Sequence, residues 1–209
     1  MKHRVAILVA LAFSIVPLVA EAAITSLSEN FEAVAGGSYT GPVSLTGSVF
    51  DVVSGTVDAL ATPLSGGAIC TTAGGSPTCI DLAGSPGGGA TLRSADTFAA
   101  GVYDLRFDLA GANQEDGLEN TTLISFGNLV GVPITLPNNA SFTTHTFHNV
   151  VVTPPTGEFL VFFQEGSDSS GNLLDNVVVT PSAVPEPATI ALVVAGAAGL
   201  ALSRGRRRR

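Results

Sequence analysis

GVYDLRFDLAG, residues 101–111, decides the fold class of this chain. Its apolar residues fall on alternate positions. Tyr103, Leu105, Phe107 and Leu109 share one side of an extended backbone; Val102, Asp104, Arg106 and Asp108 share the other. Successive side chains of a strand point to opposite faces, so this period of two predicts a strand half in a core and half in water. Outward from it the pattern repeats. TTLISFGNLV (121–130), SFTTHTFHNVVVT (141–153), EFLVFFQEG (158–166) and NLLDNVVVT (172–180) read as further strands, separated by Gly, Asn and Pro. No stretch of this region keeps the 3.6-residue period of a helix over two turns. Short strands at roughly ten-residue spacing predict an all-β fold, an antiparallel sandwich of jelly-roll type. An immunoglobulin-like sandwich leads one to look for a core Trp, and the chain has none. The region from Gly36 to Gly89 is less regular. Within it AGSPGGGATL (83–92) lacks the Gly-Lys-Ser/Thr of a phosphate loop and is expected to be a flexible hairpin connection.

Composition agrees with an exported, turn-rich protein. Of 209 residues, 45% are hydrophobic and 12% charged, with 24 Gly and 12 Pro. The formal charge of −8 conceals an asymmetry, because the cations sit at the ends. Between Ala23 and Pro181 only Arg93 and Arg106 oppose 15 carboxylates, a net −13 for that part. Such a surface repels nucleic acid, whose binders need Lys and Arg to displace counterions. It attracts divalent cations and also keeps a secreted domain soluble.

The two ends read as addresses. MKHRVAILVALAFSIVPLVAEA (1–22) has a basic flank at Lys2 and Arg4 and an apolar run from Val5 to Val19. It closes on Ala20-Glu21-Ala22, small enough at its outer positions for signal peptidase, so it reads as a signal helix cleaved after Ala22. The exported domain is then residues 23–181, and a tail occupies 182–209. In the tail, Val184-Pro185-Glu186-Pro187 precedes an apolar segment, Ala188 to Leu202, that ends in Arg204, Arg206, Arg207, Arg208 and Arg209. Pro185 and Pro187 hold an extended stretch before a short hydrophobic helix. That helix falls below the about 20 residues a bilayer core asks for, and its arginines would remain cytoplasmic as a stop. This ordered combination resembles the PEP-CTERM sorting signal of bacterial exported proteins. The resemblance implies processing by an exosortase, a membrane-embedded cysteine transpeptidase. It also implies transient anchoring in the inner membrane, the domain outside, then a place at the cell surface or beyond it. Proteins of that family tend to accompany exopolysaccharide.

Few residues of the domain single themselves out for chemistry. Cys70 and Cys79 bracket CTTAGGSPTC and, outside the cytoplasm, read as a disulfide; two thiolates alone make a poor zinc site. His3 leaves with the leader. His145 and His148 lie three apart on a predicted strand and so face opposite ways, at an edge or in solvent. Neither Gly-x-Ser-x-Gly nor His-Glu-x-x-His occurs. Asp168, Ser170 and Asn172 alternate as oxygen ligands of calcium loops do, but without the Gly and Glu of an EF-hand. AGANQEDGLEN (110–120), with Asn113, Gln114, Glu115, Asp116 and Glu119, is the most polar loop. ENFEA (29–33) and LLDNVVVT (173–180) resemble the first and last strands of carbohydrate-binding-module-like jelly rolls. That likeness implies that the terminal strands pair, with a structural calcium beside them flanked by Glu32 and Asp175.

These readings converge on a non-catalytic surface or matrix protein that binds glycan and associates with exopolysaccharide. A secreted hydrolase acting on polysaccharide and a purely structural adhesin are the alternatives. Sugar-stacking platforms are scarce, with no Trp and only Tyr39 and Tyr103, the second on the expected core face.

Overall fold

The computed structural model of the protein describes residues 23–60, 70, 78–112, 118–153, 157–166 and 169–182. The leader 1–22, the tail from 183 onward with its sorting motif and arginines, Asn113 to Asp116, and Asp168 lie outside the described residues. In chain order the strands are β1 (Leu27–Glu29), β2 (Gly37–Thr40), β3 (Val43–Ser44), β4 (Phe50–Ser54), β5 (Thr56–Leu60), β6 (Cys79–Asp81) and β7 (Thr91–Ser94). There follow β8 (Gly101–Ala110), β9 (Asn120–Phe126), β10 (Leu129–Leu136), β11 (Thr143–Val152), β12 (Val161–Gln164) and β13 (Leu173–Pro181). Among the described residues there is no helix.

Two antiparallel sheets face each other in a jelly-roll-like sandwich. The larger has the order β11-β8-β13-β6-β5-β2; the smaller is β10-β9-β12-β7-β4-β3. The residues that fixed the strand prediction also fix the core. Tyr103, Leu105, Phe107 and Leu109 of β8 are all buried between the sheets, each contributing about 1.5–3 kcal/mol by leaving water. Phenylalanines fill the volume that a Trp would otherwise take. Phe31, Phe50, Phe162 and Phe107 form a chain of ring contacts with centroids 5.9, 6.2 and 5.0 Å apart. Phe98 packs edge-on against Phe126 at 4.8 Å and against Tyr103 at 5.6 Å.

The terminal strands pair, as the likeness implied, although the first strand precedes ENFEA and shares only Glu29 with it. β1 runs antiparallel to the second half of β13, Leu27 opposite Val179 and Glu29 opposite Val177. β6 takes the first half of the same edge, opposite Leu173 and Leu174. The other edge of β13 lies along β8, so the last strand sits inside the sheet. Between Asp175 and Val178 its register shifts by a bulge, with Asn176 at φ 49°. The bulge lets Leu174 and Val177, three residues apart, both enter the core. Glu29 ends β1 by turning inward. Its carboxylate accepts the Phe31 amide at 2.7 Å, the Ser48 hydroxyl at 2.6 Å and the Val49 amide at 2.9 Å, tying the larger sheet to the β3–β4 turn of the smaller.

Two of the four strands that end the described orders are blunted. β10 carries Pro133, which a ladder tolerates only at an edge, and β11 is bulged at His148 and Asn149. The run 83–92 differs from the expected hairpin. Its base does close, the Ala90 amide donating to the Leu82 carbonyl at 2.9 Å. Yet its ends feed β6 of one sheet and β7 of the other, so it is a crossover between layers. Gly89 passes so near the Gln164 carbonyl that any side chain there would collide with it.

The outward face of the larger sheet is not simply solvated. Cys70, joined to Cys79 by a disulfide, packs with Ala110 and Leu173 against Leu60 and Phe142 in a second apolar cluster. Both termini of the domain leave at one end of the sandwich. The Ile24 carbonyl accepts the Ala99 amide, the Ala99 carbonyl accepts the Tyr103 hydroxyl, and Tyr103 lies opposite Pro181 in the ladder.

Candidate functional site

The carboxylates of the larger sheet hold the backbone in place. Asp108 accepts the Thr144 hydroxyl at 2.6 Å and the Asn176 side-chain amide at 2.9 Å. Asp175, directly opposite it in the ladder and fully buried, accepts the Asn176 backbone amide at 2.6 Å. Asp81 accepts the amides of Ala83 and Gly171 at 2.9 and 3.0 Å. Of the two acids expected beside an ion, Asp175 is thus interior and Glu32 is exposed. Among the described residues, no group of three or more His, Cys, Asp or Glu is arranged to hold a metal.

The histidines diverge, as strand alternation requires. His145 stacks on Phe107 with centroids 5.6 Å apart; burial pushes its pKa down, partly offset by the charge of Asp108. His148 is exposed, its Nδ1 3.3 Å from Asp104. Asp104 is held below the usual carboxylate range by the Ser182 hydroxyl, then by the Asn149 amide. Aspartate therefore lies between hydroxyl and imidazole, the Ser182 hydroxyl donating to one carboxylate oxygen and His148 facing the other.

At the end of the sandwich opposite the termini, Asn120, Thr122, Gln164 and Asn172 are buried together. Thr122 donates to Gln164 at 2.7 Å, and the Asn172 amide donates to Thr122 at 2.9 Å and to the Asn120 carbonyl at 3.2 Å. Asn172, read from its spacing as a cation ligand, instead links the two layers.

The open polar feature lies on the outward face of the smaller sheet, and no sequence motif marked it. Asp51 of β4 and Arg93 of β7 are directly opposite in the ladder. They line a groove of about 280 Å³ together with Ser44, Pro42, Val43 and Val53. The guanidinium lies 4.1 Å over the Phe159 ring, which fixes its plane. Its nearest approach to the Asp51 carboxylate is 3.8 Å, an ion pair too long for a hydrogen bond. Phe163, on the same face of neighbouring β12, is 39% exposed. Neither tyrosine joins this face as a platform. Tyr39 and Tyr103 donate their hydroxyls to the carbonyls of Ala35 and Ala99, each at 2.8 Å.

Fold and surface define an antiparallel β-sandwich protein with an accessible sheet face. The chain also carries a PEP-CTERM protein-sorting motif, matched over residues 183–209, which makes it an exported protein that transits a membrane. No curated protein matches the chain. Among solved structures it is similar to TmCBM61 in complex with beta-1,4-galactotriose, at 16% identity over 60% of this chain and 82% of that one, with a TM-score of 0.41. It is also similar to the K3 cleaved adhesin domain of Lys-gingipain from Porphyromonas gingivalis, at 15% identity over 74% and 98% of the two chains, TM-score 0.42. A xylan-binding domain from CBM 22 aligns at 9% identity over 76% and 95%, TM-score 0.41. These neighbours are β-sandwiches; the fold assigned to this chain rests on its own strand pairing.

Proposed function

We propose that the protein is a non-catalytic, surface-displayed glycan-binding module, delivered by its sorting tail and associated with exopolysaccharide. The observation that carries this reading is the groove on the smaller sheet. It offers a fixed guanidinium, a carboxylate and an apolar wall on a face open to solvent, the mixture a saccharide needs for its hydroxyls and its C–H surface. Three acids of the larger sheet, Asp81, Asp108 and Asp175, accept hydrogen bonds that hold turns and a bulge.

In this proposal signal peptidase removes residues 1–22. The segment from Ala188 to Leu202 then holds the tail in the inner membrane, with Arg204 to Arg209 as its cytoplasmic stop. An exosortase reads Val184 to Pro187 and processes the tail. A structural calcium near Asp175 is a separate proposal, supported only by the pairing of the terminal strands beside it. Both parts are tested by glycan-array binding of residues 23–182, with calcium and with a chelator. Binding to at least one polysaccharide class is expected, and no binding in either condition would overturn the glycan reading. Binding and melting temperature both indifferent to the chelator would remove the ion.

A further inference from the structure

We propose that the Arg93–Asp51 couple is the recognition element of the groove and that it takes a neutral saccharide through a vicinal diol. This rests on the glycan-binding reading and narrows it to a ligand class and two residues.

The argument begins with hydrogen-bonding capacity. A guanidinium presents five N–H donors in a rigid fork. Among the described residues, Arg93 makes a ring contact with Phe159 and a 3.8 Å ion pair with Asp51. Its Nε is buried without an acceptor. The protein therefore leaves the fork largely unsatisfied while Phe159 holds it still. A group matching it loses little conformational freedom on binding. As a plain surface pair across a ladder, Asp51 and Arg93 contribute at most about 1 kcal/mol, and stability alone gives little reason for the stacked arrangement.

The spacing of the couple points to the ligand. One side of the groove donates and the other accepts, and the gap between them is longer than one hydrogen bond. Adjacent sugar hydroxyls meet both demands at once: one accepts from the guanidinium and the other donates to the carboxylate. Val43 and Val53, both more than a third exposed, offer an apolar wall for the C–H face of the ring. Phe163 lies on the same face, two ladder positions beyond Val161, the partner of Arg93. A second ring of the same chain would stack there.

Charge argues for a neutral ligand. Arg93 and Asp51 cancel, the remaining cation of the exported domain is Arg106 on the other sheet, and the domain carries −13. A polyuronate would meet repulsion from the whole surface and one cation already shared with an acid.

Affinity electrophoresis tests this with residues 23–182 in gels containing dextran, mannan, xylan or galactan, and in parallel polygalacturonate. At least one neutral polymer is expected to retard the wild type, and polygalacturonate to retard it less. Arg93→Lys, which keeps the charge but loses the fork, and Asp51→Asn are each expected to weaken the interaction about tenfold or more. Both should keep a cooperative melting transition, which separates a lost site from a lost fold. Unchanged retardation in both folded variants, or a preference for polygalacturonate, would overturn the couple as the recognition element while leaving glycan binding intact. Absence of retardation by every polymer would overturn the couple and the glycan reading together.

Discussion

Asp108 lies on the outward side of β8 and is nevertheless buried, holding Thr144 with one oxygen and Asn176 with the other. Its neighbour across the edge of the sheet, His145, is carried by stacking on Phe107 rather than by a hydrogen bond. Burial keeps that imidazole neutral in the fold, since desolvation lowers its pKa. The unfolded chain takes up the proton near pH ~6.5. The stability contributed by neutral His145 is therefore complete above that value and is lost as pH falls toward the depressed folded pKa. Melting temperature measured from pH 8 to 5 should fall in the wild type and fall less in His145→Gln. Parallel curves would show that the group does not titrate in this window. Legibility at this scale was partial. Strand alternation correctly separated the two histidines and placed Tyr103 inside. It could not foresee that Asp108 would be covered, because the covering residues, Thr144 and Asn176, arrive from other strands.

Among the elements, most strands after residue 100 were readable and those before it were not. β8, β11, β12 and β13 appear within the runs where the apolar pattern put them, whereas the run 121–130 is broken by a turn at Gly127-Asn128 into β9 and the start of β10. From Gly36 to Gly89 the strands are two to five residues long, too short for a period to declare itself. They are specified by partners far along the chain, as β4 is by β7. The groove escaped for the same reason: Asp51, Arg93 and Phe159 belong to three separated segments, and only the ladder brings them together. The disulfide was legible, and its structural role is now visible. Cys70 and Cys79 pin a connection onto Leu60, Leu173 and Ala110, where an apolar patch would otherwise face water. Closing so short a loop contributes on the order of 2–3 kcal/mol by chain entropy. At about 2–4 °C per kcal/mol for a domain of this size, reduction should lower the melting temperature by about 5–10 °C. The same loss in Cys70→Ser/Cys79→Ser would confirm the origin. A shift below about 2 °C in both would mean that the apolar cluster holds without its link.

For the molecule as a whole, the position of β13 is decisive. It pairs with β8 along one edge and with β6 and β1 along the other. A chain ending at Asn172 is expected to show no cooperative melting, because β1, β6 and β8 all lose their partner. A chain ending at Ser182 should melt like the full exported domain. In cells possessing the sorting enzyme it should be recovered from the medium unprocessed, since the sorting motif at 183–209 is gone. Retention at the surface of the shorter form would detach sorting from the tail.

A protein that completes its architecture with its final strand is a clasp that can be shut only from the far side of the envelope. Until residues 173–181 have emerged, β8 has no inner neighbour and the β1 segment no ladder, so the polypeptide remains threadable. Once they emerge, the leading and trailing ends are drawn to the same pole. The opposite pole is the one that carries the linked amides of Asn120, Gln164 and Asn172.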